Sequence, residues 1–325
     1  MNEFDLIRRL QRIIGAGRTS LSQPGSVGIG DDAAVLTIDP DRQLVVTTDT
    51  LVAGVHFPPD SLPADIGHKA LAVNLSDLAA MGADPAWFFL ALTLPQVDVA
   101  WLDEFAAGVG ALATASGIEL AGGDTTSGPL SITITALGLV NPGAALLRST
   151  AHAGDLVVIS GAPGLAAHGL AQLRAGESVD GAAWRALTRP EPRLDLGRVL
   201  RGKATSCIDI SDGLAADLAH VAHASQLGAE VWLERLPRSE AMQALPPEYC
   251  WNLQLGGGDD YELCFSLPAA SQHELPEMAA KSGVGLTVIG RLTSVPGLRF
   301  LRADGSGFAP QRSGYDHFPD RAPLS

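Results

Sequence analysis

The chain has 325 residues, 46% hydrophobic and only 18% charged, with 36 glycines. That is more chain than one core normally serves and too apolar a chain for disorder, so two folded domains are expected. Acidic residues outnumber basic ones 36 to 22, a net charge of −14, which argues against general binding to nucleic acid or anionic membrane but admits a phosphorylated substrate if divalent cations bridge the charges.

The opening stretch MNEFDLIRRLQRII places Phe4, Ile7, Leu10 and Ile14 at helical spacing and lacks the apolar run of a signal peptide. No stretch approaches the ~20 apolar residues of a membrane span. Strands are predicted over 33–38 and 44–48, joined by the polar turn Asp39-Pro40-Asp41, and a loop follows over 51–62. A helix is predicted from Pro63 to about Met81, a strand over 87–94, a helix over 98–116, a short strand over 118–121 and a long alternating strand over 131–140. Asn141-Pro142-Gly143 and Gly154-Asp155 punctuate a junction, giving domains 1–148 and 149–325. Beyond it the pattern predicts strands over 156–160, 206–210, 230–233, 261–266, 285–291 and 298–302. Helices are predicted around 165–175, 181–188, 192–200, 214–226 and 269–281, with helical material to about 245. Strands and helices alternate in both halves, so each is an α/β or α+β layer domain.

Both standard nucleotide loops are missing. No Walker pattern occurs, and the GxGxxA match at Gly108-Val109-Gly110-Ala111-Leu112-Ala113 falls inside a predicted helix, where chance explains it. The aspartates say more. Asp32 follows the turn Gly28-Ile29-Gly30, Asp124 follows Gly122-Gly123, and Asp259 and Asp260 follow Gly256-Gly257-Gly258. Asp49 and Asp209 end apolar strands, and Ser211-Asp212-Gly213 precedes a helix. Asp77 sits in LAVNLSDLAAM, one turn after Asn74, where a carboxylate needs a partner.

Any one of these is ordinary turn or cap chemistry; together they point to a hard cation. Carboxylates ~4 Å apart repel by about 1 kcal/mol in water and about 4 kcal/mol at an effective dielectric near 20. Magnesium combines one or two carboxylates with waters and substrate phosphates, so a metal–nucleotide complex is the ligand that fits glycine turns ending in aspartate. His56, just after Asp49, is a site candidate, whereas His220 and His223 read as a solvated helix face. No general base, Ser-His-Asp order or HExxH is legible. Cys207, Cys250 and Cys264 form no CxxC pair and read as reduced structural thiols of a cytoplasmic protein.

The segments GIGDDAAVL, TTDTLVAGVHF, KALAVNLSDLAAMGADPAW, LAGGDTT, IDISDGL, GGGDDYELCF and GYDHF, in this order from about residue 28 to 318, resemble the thiamine-monophosphate kinases. The resemblance implies the two-domain aminoimidazole ribonucleotide synthetase-like architecture. In it the N-terminal domains pair into a dimer-spanning β-barrel, and a C-terminal α/β domain completes the ATP and substrate site. It further implies ATP-dependent phosphorylation of thiamine monophosphate to thiamine diphosphate by a cytoplasmic homodimer. By position, Asp32, Thr47, Thr48, Asp49, Asp77, Asp124, Asp209 and Asp212 would serve magnesium ions. Gly123, Asp124, Arg148 and Ser211 would contact ATP, and His56, Asp259 and Tyr315 would line the thiamine phosphate pocket. Where the family commonly reads Gly-Gly-Glu-Asp, this chain has Gly257-Gly258-Asp259-Asp260, one methylene shorter. The acceptor of such a reaction is a phosphate monoester, largely dianionic at neutral pH, which needs no general base. A sister enzyme of the superfamily acting on another phosphate or carboxylate, a non-catalytic nucleotide-binding protein and a metal phosphohydrolase are the rival readings.

Overall fold

The computed structural model describes residues 3–18, 20–177 and 181–315. The closing Gly-Tyr-Asp-His-Phe motif is therefore described as far as Tyr315; Asp316, His317 and Phe318 lie outside the described residues. The chain forms two compact units: residues up to Ala145 together with Thr188–Arg198, and Leu146–Leu187 with the chain from Val199 onward.

In the first unit, α1 (Glu3–Ile14), β1 (Gln43–Val52), α2 (Pro63–Ala80), β2 (Asp84–Leu94), α3 (Val99–Ser116), β3 (Glu119–Ser127) and β4 (Ser131–Val140) follow in order. The sheet runs β1-β4-β2-β3, with β2 and β3 parallel and the other pairs antiparallel. Pro63 opens α2, where its missing N–H costs nothing. Asp98 caps α3 by accepting from the N–H groups of Ala100 and Trp101 at 2.9 and 3.2 Å. Leu71, Leu75, Leu78, Phe88, Leu92, Phe105, Ile132 and Ile134 are buried between sheet and helices. Gly108, from the loosened GxGxxA match, is a helix-packing residue: a Cβ there would lie 2.0 Å from the carbonyl oxygen of Ala64.

Contacts to α2 tie the segment Thr188–Arg198 to this unit. Arg189 pairs with Asp65, the His68 ring nitrogen Nε2 lies 2.9 Å from the Pro190 carbonyl, and Gly197 packs against the backbone of Ala79. The stretch 33–38, expected as a strand, makes only the isolated bridge Val27–Val35, with N–H to oxygen distances of 2.7 and 2.8 Å. Its alternation instead sets Ala34, Leu36 and Ile38 half-buried against Trp87 and Leu137. Alternating burial on a sheet face writes the same pattern as a strand.

In the second unit come β5 (Leu156–Ser160), α4 (Leu165–Arg174), α5 (Gly181–Thr188), α6 (Leu194–Leu200, its start lying in the exchanged segment), β6 (Ser206–Asp209) and α7 (Leu214–Ala224). They are followed by β7 (Gly228–Trp232), α8 (Pro247–Gly256), β8 (Leu263–Leu267), α9 (Leu275–Ser282), β9 (Leu286–Thr293), β10 (Gly297–Leu301) and β11 (Gly307–Phe308). The sheet order is β11-β10-β7-β9-β5-β8-β6, mostly antiparallel, with β10 parallel to β7. Its core gathers Ile208, Ile210, Leu214, Leu218, Val231, Trp251, Leu255 and Ile289.

The sequence pattern does not announce α8, whose buried Cys250, Trp251, Gln254 and Leu255 are interleaved with polar residues. The helix expected over 269–281 divides into a 3-10 turn, Ala269–Glu274, and α9, with Pro276 in the first turn of the second piece. All three cysteines are free and buried. No helix among the described residues is long and apolar enough to cross a membrane.

Candidate active site

In the first unit the candidate residues stand on regular elements. Asp49 lies inside β1, which continues to Val52, rather than at its end. Alternation along β1 puts the half-buried Thr47 and Asp49 on one face and the exposed Thr48 and Thr50 on the other. The structure brings Thr47 and Asp77 together: the Thr47 hydroxyl donates to Asp77 Oδ2 at 2.5 Å. The side chain of Thr48 does not join them; its hydroxyl donates to the Ile134 carbonyl at 3.2 Å and lies 3.0 Å from that of Thr135.

One turn from Asp77, Asn74 is fully buried, donates Nδ2 to the Ala70 carbonyl at 3.1 Å and leaves Oδ1 without a partner. Gly122, Gly123 and Asp124 lie within β3, beyond the point where that strand was expected to stop. The β2–β3 register shifts beside them, with Phe88 opposite Leu120 and Phe89 opposite Gly122. A bulge of this kind re-aims the side chains that follow. Asp124 and Asp32 are exposed.

His56 is held with a defined tautomer. The Val52 N–H donates to its Nδ1 at 3.0 Å, so a neutral ring carries its proton on Nε2. Lys69, 2% exposed, donates to the His56 carbonyl at 3.1 Å and fixes the turn from the α2 side.

In the second unit the candidates occupy loops stitched together by backbone. The Asp259 N–H donates to the Ser211 carbonyl at 2.8 Å, the Tyr261 N–H to the Ile210 carbonyl at 2.8 Å and the Tyr315 N–H to the Asp212 carbonyl at 3.0 Å. Three stretches far apart in sequence, carrying Asp209 to Asp212, Asp259 and Tyr315, are thereby joined. The glycines serve this closeness: a Cβ on Gly258 would lie 2.3 Å from the Ser211 carbonyl oxygen. Gly213 has φ +117° and faces the backbone of Leu255 and Gly257. They bring backbone to backbone here, which the sequence alone suggests for a polyphosphate instead.

Asp259 itself has φ +68°, and its carboxylate accepts from the Tyr261 hydroxyl at 3.1 Å. A short acidic side chain tolerates that backbone region better than most residues. Arg148 is exposed, and its carbonyl accepts from the Ser225 hydroxyl at 2.9 Å.

Two carboxylates, the buried Asp217 and the half-buried Asp260, take roles that the sequence reading does not give them. Asp217 Oδ2 accepts from the backbone N–H groups of Ser211, Asp212 and Gly213, each at 3.1 Å. Burial, then the nearby charges of Asp209 and Asp212, push its carboxyl up to about 8, while the N–H groups of Asp212 and Gly213 pull it back. Asp260 accepts from the Gly164 N–H at 2.7 Å and the Ala166 N–H at 3.4 Å, capping α4. Burial pushes its carboxyl well up as well. The signal for Asp217 was present: like Asp77, it is a carboxylate set amid Ala and Leu on a helix.

Among the described residues, no three His, Cys, Asp or Glu side chains form a ready-made metal centre. A site completed by substrate phosphates and water does not require one. The donors brought together here, the Asp77 carboxylate and the Thr47 hydroxyl, are both oxygens and fit a hard divalent cation.

The comparisons with known proteins extend this picture. Residues 30–140 match the AIR synthase related protein N-terminal domain, and residues 152–301 match its C-terminal domain. Thiamine-monophosphate kinase of Escherichia coli K12 is 46% identical over 324 residues, covering 97% of this chain and 98% of that protein. The chain belongs to the thiamine-monophosphate kinase family. The crystal structure of thiamine-monophosphate kinase from Stenotrophomonas maltophilia K279a superposes with a TM-score of 0.85 at 43% identity, over 95% of this chain and 98% of that one. A structure described as AaThiL complexed with AMPPCP and TMP gives 0.75 at 28% identity, over 97% of each chain. As in the family, the architecture here is a two-domain α/β arrangement.

Proposed function

We propose that this chain transfers the γ-phosphoryl group of ATP to the phosphate of thiamine monophosphate, giving thiamine diphosphate and ADP. The observation that carries this is the 46% identity to a thiamine-monophosphate kinase over nearly the whole of both chains. The relative solved with AMPPCP and TMP, matched over 97% of each chain, supports ATP as the donor.

Asp32, Thr47, Asp49, Asp77 and Asp124 of the first unit and Asp209 and Asp212 of the second take magnesium ions in this reading, with Thr48 restricted to its backbone. Bound magnesium supplies positive charge between the donor and acceptor phosphates. Gly123, Asp124, Ser211 and Arg148 hold ATP; the Arg148 guanidinium is a fixed charge suited to a phosphate. His56 donates from Nε2 to the acceptor, with Asp259 and Tyr315 on the thiamine side. No residue acts as general base, because the attacking oxygen is already ionised. Transfer is direct, in line, without a phosphorylated side chain.

Residues 1–148 form the ATP, magnesium and dimerisation domain and 149–325 the domain that completes nucleotide and substrate binding. A homodimer is supported by exposed Leu44 (41%) and Val46 (56%) on the open face of β1, more apolar surface than a solvated strand needs. The working compartment is the cytoplasm.

Incubation with Mg-ATP and thiamine monophosphate, followed by chromatography, tests the proposal. Thiamine diphosphate and ADP in equal amounts are expected, with no ADP when the acceptor is omitted. Acceptor-independent release of inorganic phosphate would make the chain a hydrolase instead.

A further inference from the structure

We infer that Asp217 is a positioning residue for phosphoryl transfer: it holds the Ser211-Asp212-Gly213 loop so that side-chain oxygens, and not backbone N–H groups, meet the nucleotide and its metal. The inference rests on the kinase reading above and goes beyond it, since Asp217 was marked neither by the motifs nor by their roles.

Successive N–H groups at the start of a helix ordinarily make an anion site, because the positive end of the helix dipole adds to unpaired donors. The loop before α7 has that arrangement, yet its donors are spent. The N–H groups of Ser211, Asp212 and Gly213 all donate to one oxygen of Asp217, a residue 3% exposed in the first turn of the same helix. A buried carboxyl oxygen at this place occupies all three donors together. A phosphate oxygen finds no backbone partner there, so Ser211 meets ATP through its hydroxyl, and Asp212 meets the metal through its carboxylate.

The effect spreads because the loop is a hub. Its Ser211 carbonyl accepts from Asp259, its Asp212 carbonyl accepts from Tyr315, and Gly258 packs on it without room for a Cβ. Releasing the three N–H groups therefore loosens the nucleotide residues first and the acceptor residues through them. Side chains pinned in this way are preorganised, which is where positioning contributes to rate.

Asp217→Ala removes the acceptor, whereas Asp217→Asn keeps the size and one acceptor oxygen. Two readouts apply: backbone amide exchange over 211–213 without ligand, and affinity for AMPPCP with Mg²⁺ by calorimetry. In the wild type these amides are protected without nucleotide. In Asp217→Ala their exchange rises and AMPPCP affinity falls, each by about tenfold or more, with Asp217→Asn intermediate, as loss of three hydrogen bonds predicts. A merely structural Asp217 would lower the melting temperature and leave the affinity of the folded protein unchanged.

Should Asp217→Ala fail to fold, Asp217→Asn decides alone: faster exchange with weaker AMPPCP binding supports the inference. Unprotected amides in the wild type, or affinity in Asp217→Asn within about twofold of wild type, overturn it. A wild type that binds no AMPPCP and forms no thiamine diphosphate refutes the kinase reading. The unliganded amide exchange still judges the Asp217 anchor in that case.

Discussion

The two units hold their acidic residues by opposite means. In the first, Thr47, Asp49, Asp77 and Asp124 ride on strands and a helix whose geometry is set by the core, and the Thr47 hydroxyl bonds to Asp77. In the second, Asp212, Asp259 and Tyr315 sit in loops whose order comes from backbone bonds and from two carboxyl groups that accept from backbone N–H groups at helix starts, the buried Asp217 and the half-buried Asp260. The contrast teaches that an acidic site can be built in two ways. A rigid scaffold holds carboxylates by the geometry of its strands and helix; loops need their own polar anchors.

Substitutions separate these two modes. The largest effect belongs to Asp77→Asn, and equally to Asp49→Asn. Turnover falls by roughly 100-fold or more and the magnesium needed for half-maximal rate rises, while the melting temperature changes little, because the scaffold does not depend on the charge. Steady-state kinetics against free magnesium, with a thermal melt alongside, make the check; unchanged kinetics would remove these residues from the metal set. Gly258→Ala acts in the reverse sense. Its Cβ would meet the Ser211 carbonyl oxygen at 2.3 Å, so the loops part and stability drops by about 1–3 kcal/mol by denaturant titration, with nucleotide affinity falling too.

Thr47→Val is milder. It removes the hydroxyl from Asp77, costs about 1 kcal/mol and shifts the magnesium dependence without abolishing turnover.

The smallest effect concerns the exchanged segment. Burial lowers the pKa of His68 from its ordinary value of 6.5, outweighing the Pro190 carbonyl that raises it. The unfolded chain then binds the proton more readily than the folded one. Stability from this group is complete above 6.5 and is lost as pH falls below it toward the folded value. On acidification from about pH 8 to about pH 5.5 the melting temperature of the wild type falls by a few degrees relative to that of His68→Asn, which lacks this proton linkage.

How much was legible in the sequence follows the same division. Elements whose period is set by one packed face, such as α2, α3, β4 and β5, read correctly from apolar spacing. The stretch 33–38 misled because a segment lying on a sheet alternates in the same way as one inside it. α8 was silent because its buried residues include Gln254 and Cys250 among exposed polar neighbours. In the site, Asp77 stood out as a carboxylate amid aliphatic residues, and Asp217, written in LAADLAHVA, carries the same mark. Asp260 could not be read, since the N–H groups it caps belong to Gly164 and Ala166, 96 and 94 residues earlier. Nor could the role of Gly256 to Gly258: close backbone approach to a carbonyl and to a phosphate place the same demand on a residue.

Direct passage of the phosphoryl group from ATP to thiamine monophosphate is the claim on which the site assignments converge. A single-turnover experiment with γ-³²P-labelled ATP, magnesium and excess enzyme, quenched with and without the acceptor, tests it. All the transferred label should appear in thiamine diphosphate, none on the protein and none as inorganic phosphate when the acceptor is absent. Label on the protein that chases into product, or free phosphate formed without acceptor, would contradict the account.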